Sequence, residues 1–93
     1  MDKLIEMLKR HEGMKTHAYK CSEGKITVGV GRNIDKQGGI GLSEDEIEYL
    51  LQNDIERVIV ELSSEYEWFN SIDDVRKDAM IDIAFNLGIT RLR

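Results

Sequence analysis

Proline is absent from these 93 residues, cysteine occurs once, and aromatic residues make up only 6%. Each scarcity excludes something. Without proline, no helix is broken by a missing backbone N–H. A single cysteine, Cys21, rules out an internal disulfide and fits synthesis in a reducing compartment. No run approaches the roughly 20 apolar residues that a membrane-spanning helix needs. The opening MDKLIEMLKRHEG interleaves charged with apolar residues, unlike a secretory signal, so the expected place of synthesis is the cytoplasm. Positive charge is short as well. Thirteen Lys and Arg against eighteen Asp and Glu leave a net charge of -5, which argues against nucleic acid as a partner.

What remains is 41% hydrophobic and 33% charged, the balance of a globular chain rich in helix formers. One domain over residues 1–93 is expected, with no repeat and no linker. Asp2 can cap a first helix over residues 1–12, with Leu4, Ile5 and Leu8 as its packed stripe and Gly13 as its stop. A small sheet lobe is expected over 13–42. There, HAYKC and KITVGVG flank the turn SEG, with Gly24 free to take a positive φ. Alternation predicts that Ile26, Val28 and Val30 pack on one face. Thr27, Gly29 and Gly31 then line an open face.

The stretch SEDE is a capping box that opens a helix over 43–63, with the stripe Ile47, Leu51, Ile55, Val58 and Leu62. A short turn carrying Trp68 and Phe69 follows. A last helix over 71–88, with Asp73 and Asp74 at its positive end, is expected to bury Val75, Ala79, Ile83 and Leu87. Gly88 and Ile89 suit a Schellman stop.

Glu12 is the most informative residue. At a helix C-terminus and on an apolar face, a carboxylate meets the wrong end of the dipole and loses water. Both favour the protonated form, which a general acid needs; the plainer reading is a glutamate reaching to solvent at a frayed end. Thr27 is either an ordinary strand threonine or a hydroxyl that holds a water or a sugar oxygen, with Gly29 and Gly31 leaving space beside it. Cys21 reads as a small buried hydrophobe or, with His11 or His17 as base, a nucleophile. Two other patterns are decoys. GVGRNI lacks the third glycine of a dinucleotide-binding turn, with Ile34 in its place. Residues 33–44 have calcium-loop spacing, but Asn33 and Gln37 supply little charge and a strand precedes them. No metal and no cofactor are expected.

Taken together, Glu12, Cys21 and Thr27 stand as E-x8-C-x5-T within HEGMKTHAYKCSEGKITVGVGRN. This closely resembles the phage-type lysozymes of glycoside hydrolase family 24. Their pattern is Glu, then Asp or less often Cys, then Thr, within EG-x5-Y-x-[DC]-x-x-G-x-x-TIGxG. LSEDEIEYLLQNDI is similar to that family's inter-lobe helix, and DVRKDAMIDIAFNLG to its next helical segment. The resemblance implies an α+β lysozyme-like fold: a sheet lobe, a connecting helix and the start of a helical lobe. It also implies muramidase activity on the β-1,4 bond between N-acetylmuramic acid and N-acetylglucosamine in bacterial peptidoglycan. By the same resemblance, Glu12 is the acid, Cys21 and Thr27 position the attacking water, and Gly29, Gly31 and Arg32 line the sugar site.

The resemblance further implies more helices after residue 93, including a basic partner for the glutamate that no residue here supplies. That leaves three readings open: a proteolysed or truncated form, a natural remnant, or copies that self-associate to cover the exposed core. Release to the wall through a holin-type membrane lesion is expected. Two rivals stand beside hydrolysis: a non-hydrolytic wall-binding remnant, and a lytic transglycosylase that needs one acid and no water.

Overall fold

The structure, a computed structural model, describes residues 1–88, so the expected stop at Ile89 and the final TRLR lie outside the described residues. Helix α1 spans Asp2–Glu12, strands β1, β2 and β3 span Lys15–Lys20, Ile26–Gly29 and Arg32–Asn33, and helix α2 spans Glu44–Glu65. A 3₁₀ turn at Glu67–Ser71 leads into helix α3, Asp74–Leu87. This is an α+β arrangement, as expected. The chain divides into two compact units, Met1–Ser43 and Glu44–Arg93.

In the first unit, α1 departs from expectation at its N-cap. Met1 is its N-cap and offers no side-chain bond, and Asp2 is not the cap but lies inside the first turn. There its carboxylate faces the positive helix end directly. Gly13 ends the helix at φ 77, its N–H donating to the Lys9 carbonyl. The packed stripe is not found: Leu4, Ile5 and Leu8 stay 42–47% exposed, and α1 buries none of its residues.

The three strands form an antiparallel sheet in the order β1-β2-β3. Tyr19 lies opposite Thr27 and Lys20 opposite Ile26, with a bulge between Lys15 and Tyr19. The tight turn closes where Gly24 N–H meets the Cys21 carbonyl at 2.8 Å. Gly24 takes φ 78 there, as expected. The sheet corrects one expectation: Thr27, expected on an open face, is 3% exposed, while Ile26 and Val30, expected to pack, remain 36% and 37% exposed. Val28 and Gly29 are both half-buried, so burial does not alternate along β2. Val30 follows the end of β2 in a turn, and a threonine can be buried when its hydroxyl is satisfied locally.

The second unit holds an apolar core of Leu62, Phe69 and Ala84, joined by Val58, Ile59, Tyr66, Ile72, Met80 and Ile81. Burying side chains such as Leu62 and Phe69 contributes about 1.5–3 kcal/mol each. Only the later part of the α2 stripe takes part, since Ile47 and Leu51 stay exposed. The expected 3₁₀-like turn is present and inserts Phe69 into this core, with Trp68 stacked at a tilt on Tyr66.

Asp73 caps α3 by accepting the Arg76 N–H at 2.8 Å. The buried face of α3 is not the one expected. Val75 is 80% exposed and Ile83 and Leu87 are also open, whereas Met80, Ile81 and Ala84 face the core. Apolar residues occur on several sides of α3, so periodicity alone does not choose among them. Packing on the core of Leu62, Phe69 and Ala84 marks the buried side.

Candidate functional site

Glu12 is the last residue of α1, and the Gly13 stop turns the chain directly into β1. Its side chain lies across the turn between β2 and β3. A Cβ on Gly31 would stand 3.0 Å from Glu12 Oε2 and 3.4 Å from its Cδ. Gly31 also sits at φ 67, a backbone shape that L side chains rarely adopt. Position 31 is therefore glycine for two independent reasons, and one of them is the glutamate. Glu12 itself is exposed, so the dry surroundings expected for it are not there. Its neighbour one turn back, Leu8, is exposed too.

Cys21 and Thr27 are brought together across the hairpin. Cys21 directly follows β1, and its backbone N–H donates to the Lys25 carbonyl at 3.0 Å. Thr27 Oγ1 donates to that same carbonyl at 2.9 Å. The Cys21 thiol is half-buried and titrates below its ordinary value. Hydrogen bonds from the Lys25 backbone and then the Glu23 backbone are the main cause, and the Thr27 hydroxyl adds to them. Partial burial and the Glu23 charge oppose the shift. The threonine hydroxyl has one proton. In the structure that proton goes to the Lys25 carbonyl.

Gly29 ends β2 at φ 66 and has open space where a Cβ would be. Arg32 is half-buried, and its Nη1 donates to the Gly41 carbonyl at 3.1 Å, holding the far end of the loop after β3. The two histidines take no part with Cys21 in what the structure describes: His11 lies in the last turn of α1, and His17 Nδ1 pairs with the Thr16 hydroxyl at 3.0 Å.

Within residues 33–44, whose spacing resembles a calcium loop, the segment 33–41 folds into a tight loop after β3. Here Asp35 is fully engaged. Its Oδ2 accepts the Ile26 N–H and its Oδ1 the Gln37 N–H, both at 2.9 Å. These two bonds, the Ile26 one first, hold its carboxyl below the usual carboxylate value, with Lys25 and Lys20 adding attraction. The Asp35 N–H in turn donates to Asn33 Oδ1 at 2.9 Å. The signal was in the sequence as N-x-D with a glycine four residues on, a pattern of local side chain-to-backbone turns. Among the described residues no cluster of three or more His, Cys, Asp or Glu forms a metal site.

A glutamate-ended helix laid on the glycine turn of a small antiparallel sheet, followed by a long helix, is an arrangement of the lysozyme-like α+β class. A sequence model of the phage lysozyme family matches residues 9–93, and the chain belongs to that family. Among its relatives is an endolysin of Acyrthosiphon pisum secondary endosymbiont phage 1. The two are 28% identical over 89 residues, covering 96% of this chain and 60% of the relative. The probable T4-type lysozyme 2 of Dictyostelium discoideum is 31% identical, with 96% of this chain and 68% of the relative covered. For the probable T4-type lysozyme 1 of the same organism, the identity is 26% and the coverage 94% and 66%. The chain therefore spans only 60–68% of the length of these relatives.

Proposed function

We propose that this chain carries the catalytic part of a peptidoglycan muramidase. It cleaves the β-1,4 bond between N-acetylmuramic acid and N-acetylglucosamine with inversion. The observation that carries the reading is the Glu12 carboxylate lying against Gly31, in the same unit as the linked Cys21 and Thr27. Family membership supports it.

In this mechanism Glu12, held at the end of α1, protonates the leaving glycosidic oxygen. The bare backbone of Gly29 and Gly31 lets a pyranose ring approach the strand closely. Thr27 and Cys21 orient the attacking water on the opposite face of the sugar, as an inverting hydrolase requires. The lowered thiol helps here, because the thiolate can accept a hydrogen bond from that water. The nucleophile remains water, and no covalent intermediate is needed. Arg32 acts through the Gly41 carbonyl to hold the loop beside the sugar site.

A second reading is favoured by one observation: position 21 carries a thiol in place of the carboxylate commoner in the family pattern. In it, the chain binds wall glycan without cleaving it. Lysis of outer-membrane-permeabilised Gram-negative cells by wild type and by Glu12→Gln tests the first reading. Clearing by the wild type alone is expected; equal clearing by both removes Glu12 from the chemistry.

A further inference from the structure

We infer that Asp35 is a positioning residue for the Cys21–Thr27 pair, acting through the backbone of Ile26 that its carboxylate holds. Ile26 stands at the start of β2, between Lys25 and Thr27. On one side it lies opposite Lys20 in the ladder with β1. On the other, the Asp35 Oδ2 takes its N–H at 2.9 Å and the Ile34 N–H reaches its carbonyl at 2.9 Å. The carboxylate thus occupies the place of a neighbouring strand's carbonyl, extending the short β3 by one acceptor. What it fixes is the segment 25–27. The Lys25 carbonyl receives both the Thr27 hydroxyl and the Cys21 N–H, and the Lys25 backbone is the first cause of the altered thiol.

The loop that presents Asp35 is built to do so. Its own N–H is held by Asn33, the residue opposite Thr27 in the sheet. The Gly39 N–H returns to the Asp35 carbonyl at 3.0 Å, and the Ile40 N–H to the Asn33 carbonyl at 2.9 Å. A Cβ on Gly39 would stand 2.5 Å from both the nitrogen and the oxygen of Asp35, so the loop closes this tightly only around a glycine. Both carboxylate oxygens carry a backbone N–H, and Lys20 and Lys25 are the cations facing the group.

This inference rests on the proposed roles of Cys21 and Thr27, but its test needs no substrate. Because Cys21 is the only cysteine, iodoacetamide alkylation reports it alone. In the wild type the rate should rise with pH at a midpoint below that of free cysteine. In Asp35→Ala the midpoint should move up. A rise of one unit cuts the thiolate about tenfold at neutral pH, and the gain in intrinsic nucleophilicity returns part of it, leaving a net slowing of about threefold. Deleting a nearby negative charge would by itself pull the thiol the other way, so an upward shift reports the backbone. Asp35→Asn, which keeps one acceptor, should fall between the two.

An unmoved midpoint in a folded Asp35→Ala overturns the inference. Should that variant not fold, amide NMR of the wild type decides instead. The Ile26, Gln37 and Thr27 signals should titrate together as Asp35 takes up its proton at acid pH, and an Ile26 signal that does not move overturns the inference. Peptidoglycan cleavage separates this inference from the functional reading. Unchanged cleavage by Thr27→Ala with a shifted Cys21 in Asp35→Ala defeats the functional reading alone. Cleavage lost in Glu12→Gln with Cys21 unshifted in Asp35→Ala defeats the positioning role alone.

Discussion

In the proposed mechanism, Cys21 stands where the resembling family pattern more often has a carboxylate. A free thiol with a pKa near 8.5 is mostly neutral at pH 7. The backbone hydrogen bonds from Lys25 and Glu23 move it in the useful direction without making it a carboxylate. Cys21→Asp should therefore raise the rate of peptidoglycan cleavage, on the order of tenfold, because a positioned carboxylate assists water more fully. Release of reducing ends checks it, and a slower variant would mean that the thiol is itself the better water holder.

Asp35 gives a pH effect of definite sign. Its carboxyl is depressed in the folded chain, so its stabilisation is complete above the ordinary carboxylate value. It is lost as pH falls through the depressed one. Urea unfolding followed by circular dichroism should show wild-type stability falling on acidification by more than that of Asp35→Asn. Parallel acid profiles would show that Asp35 contributes nothing. The spacing E-x8-C-x5-T singles out Glu12 and Thr27 in the sequence as candidates. For Asp35 the sequence shows only the local N-x-D turn pattern; its bond to the Ile26 N–H is not legible there, because a backbone N–H is a partner that any residue could supply.

Among the elements, the turn between β2 and β3 matters most, since the Glu12 side chain lies against it. Gly31→Ala puts a side chain at φ 67, a strain of about 1–2 kcal/mol, and sets its Cβ 3.0 Å from Glu12 Oε2. The carboxylate can swing aside, so cleavage should fall further than the unfolding free energy. Rate and stability measured on the same preparation check this, and a proportionate loss in both would make Gly31 a folding residue only.

Helix positions were easier to foresee than helix faces. The SEDE signal marks the start of α2 to within a residue, and Gly13 the end of α1, because caps and stops are local chemistry. The buried side of α3 was missed because Val75, Ile83 and Leu87 are as apolar as the residues that pack. Only packing on the Leu62, Phe69 and Ala84 core distinguishes them. Thr27 was assigned to an open face for a similar reason: polarity predicts exposure unless a partner such as the Lys25 carbonyl is within reach.

Across the whole molecule, charge is divided unevenly. Residues 1–43 contain eight Lys and Arg against five Asp and Glu, and residues 44–93 contain five against thirteen. The overall charge of -5 thus conceals a sheet-bearing unit that is net positive and suited to an anionic wall. Binding to purified sacculi should weaken as salt rises from about 50 to 200 mM, because exposed charges are screened. Lys20→Glu should weaken it further at low salt, and salt-independent binding would contradict this account.

The second unit presents an apolar groove of about 340 Å³ lined by Leu51, Ile55, Ile81 and Phe85, with Asp78 and Asp82 beside it.

The most direct test of the central claim is the chemistry of the glycan ends. Peptidoglycan digested with the chain is analysed by mass spectrometry, alongside a Glu12→Gln digest. The account predicts new reducing N-acetylmuramic acid ends with the wild type and none with Glu12→Gln. Ends bearing 1,6-anhydro-muramic acid, equal release by both proteins, or no release by the wild type would each contradict it.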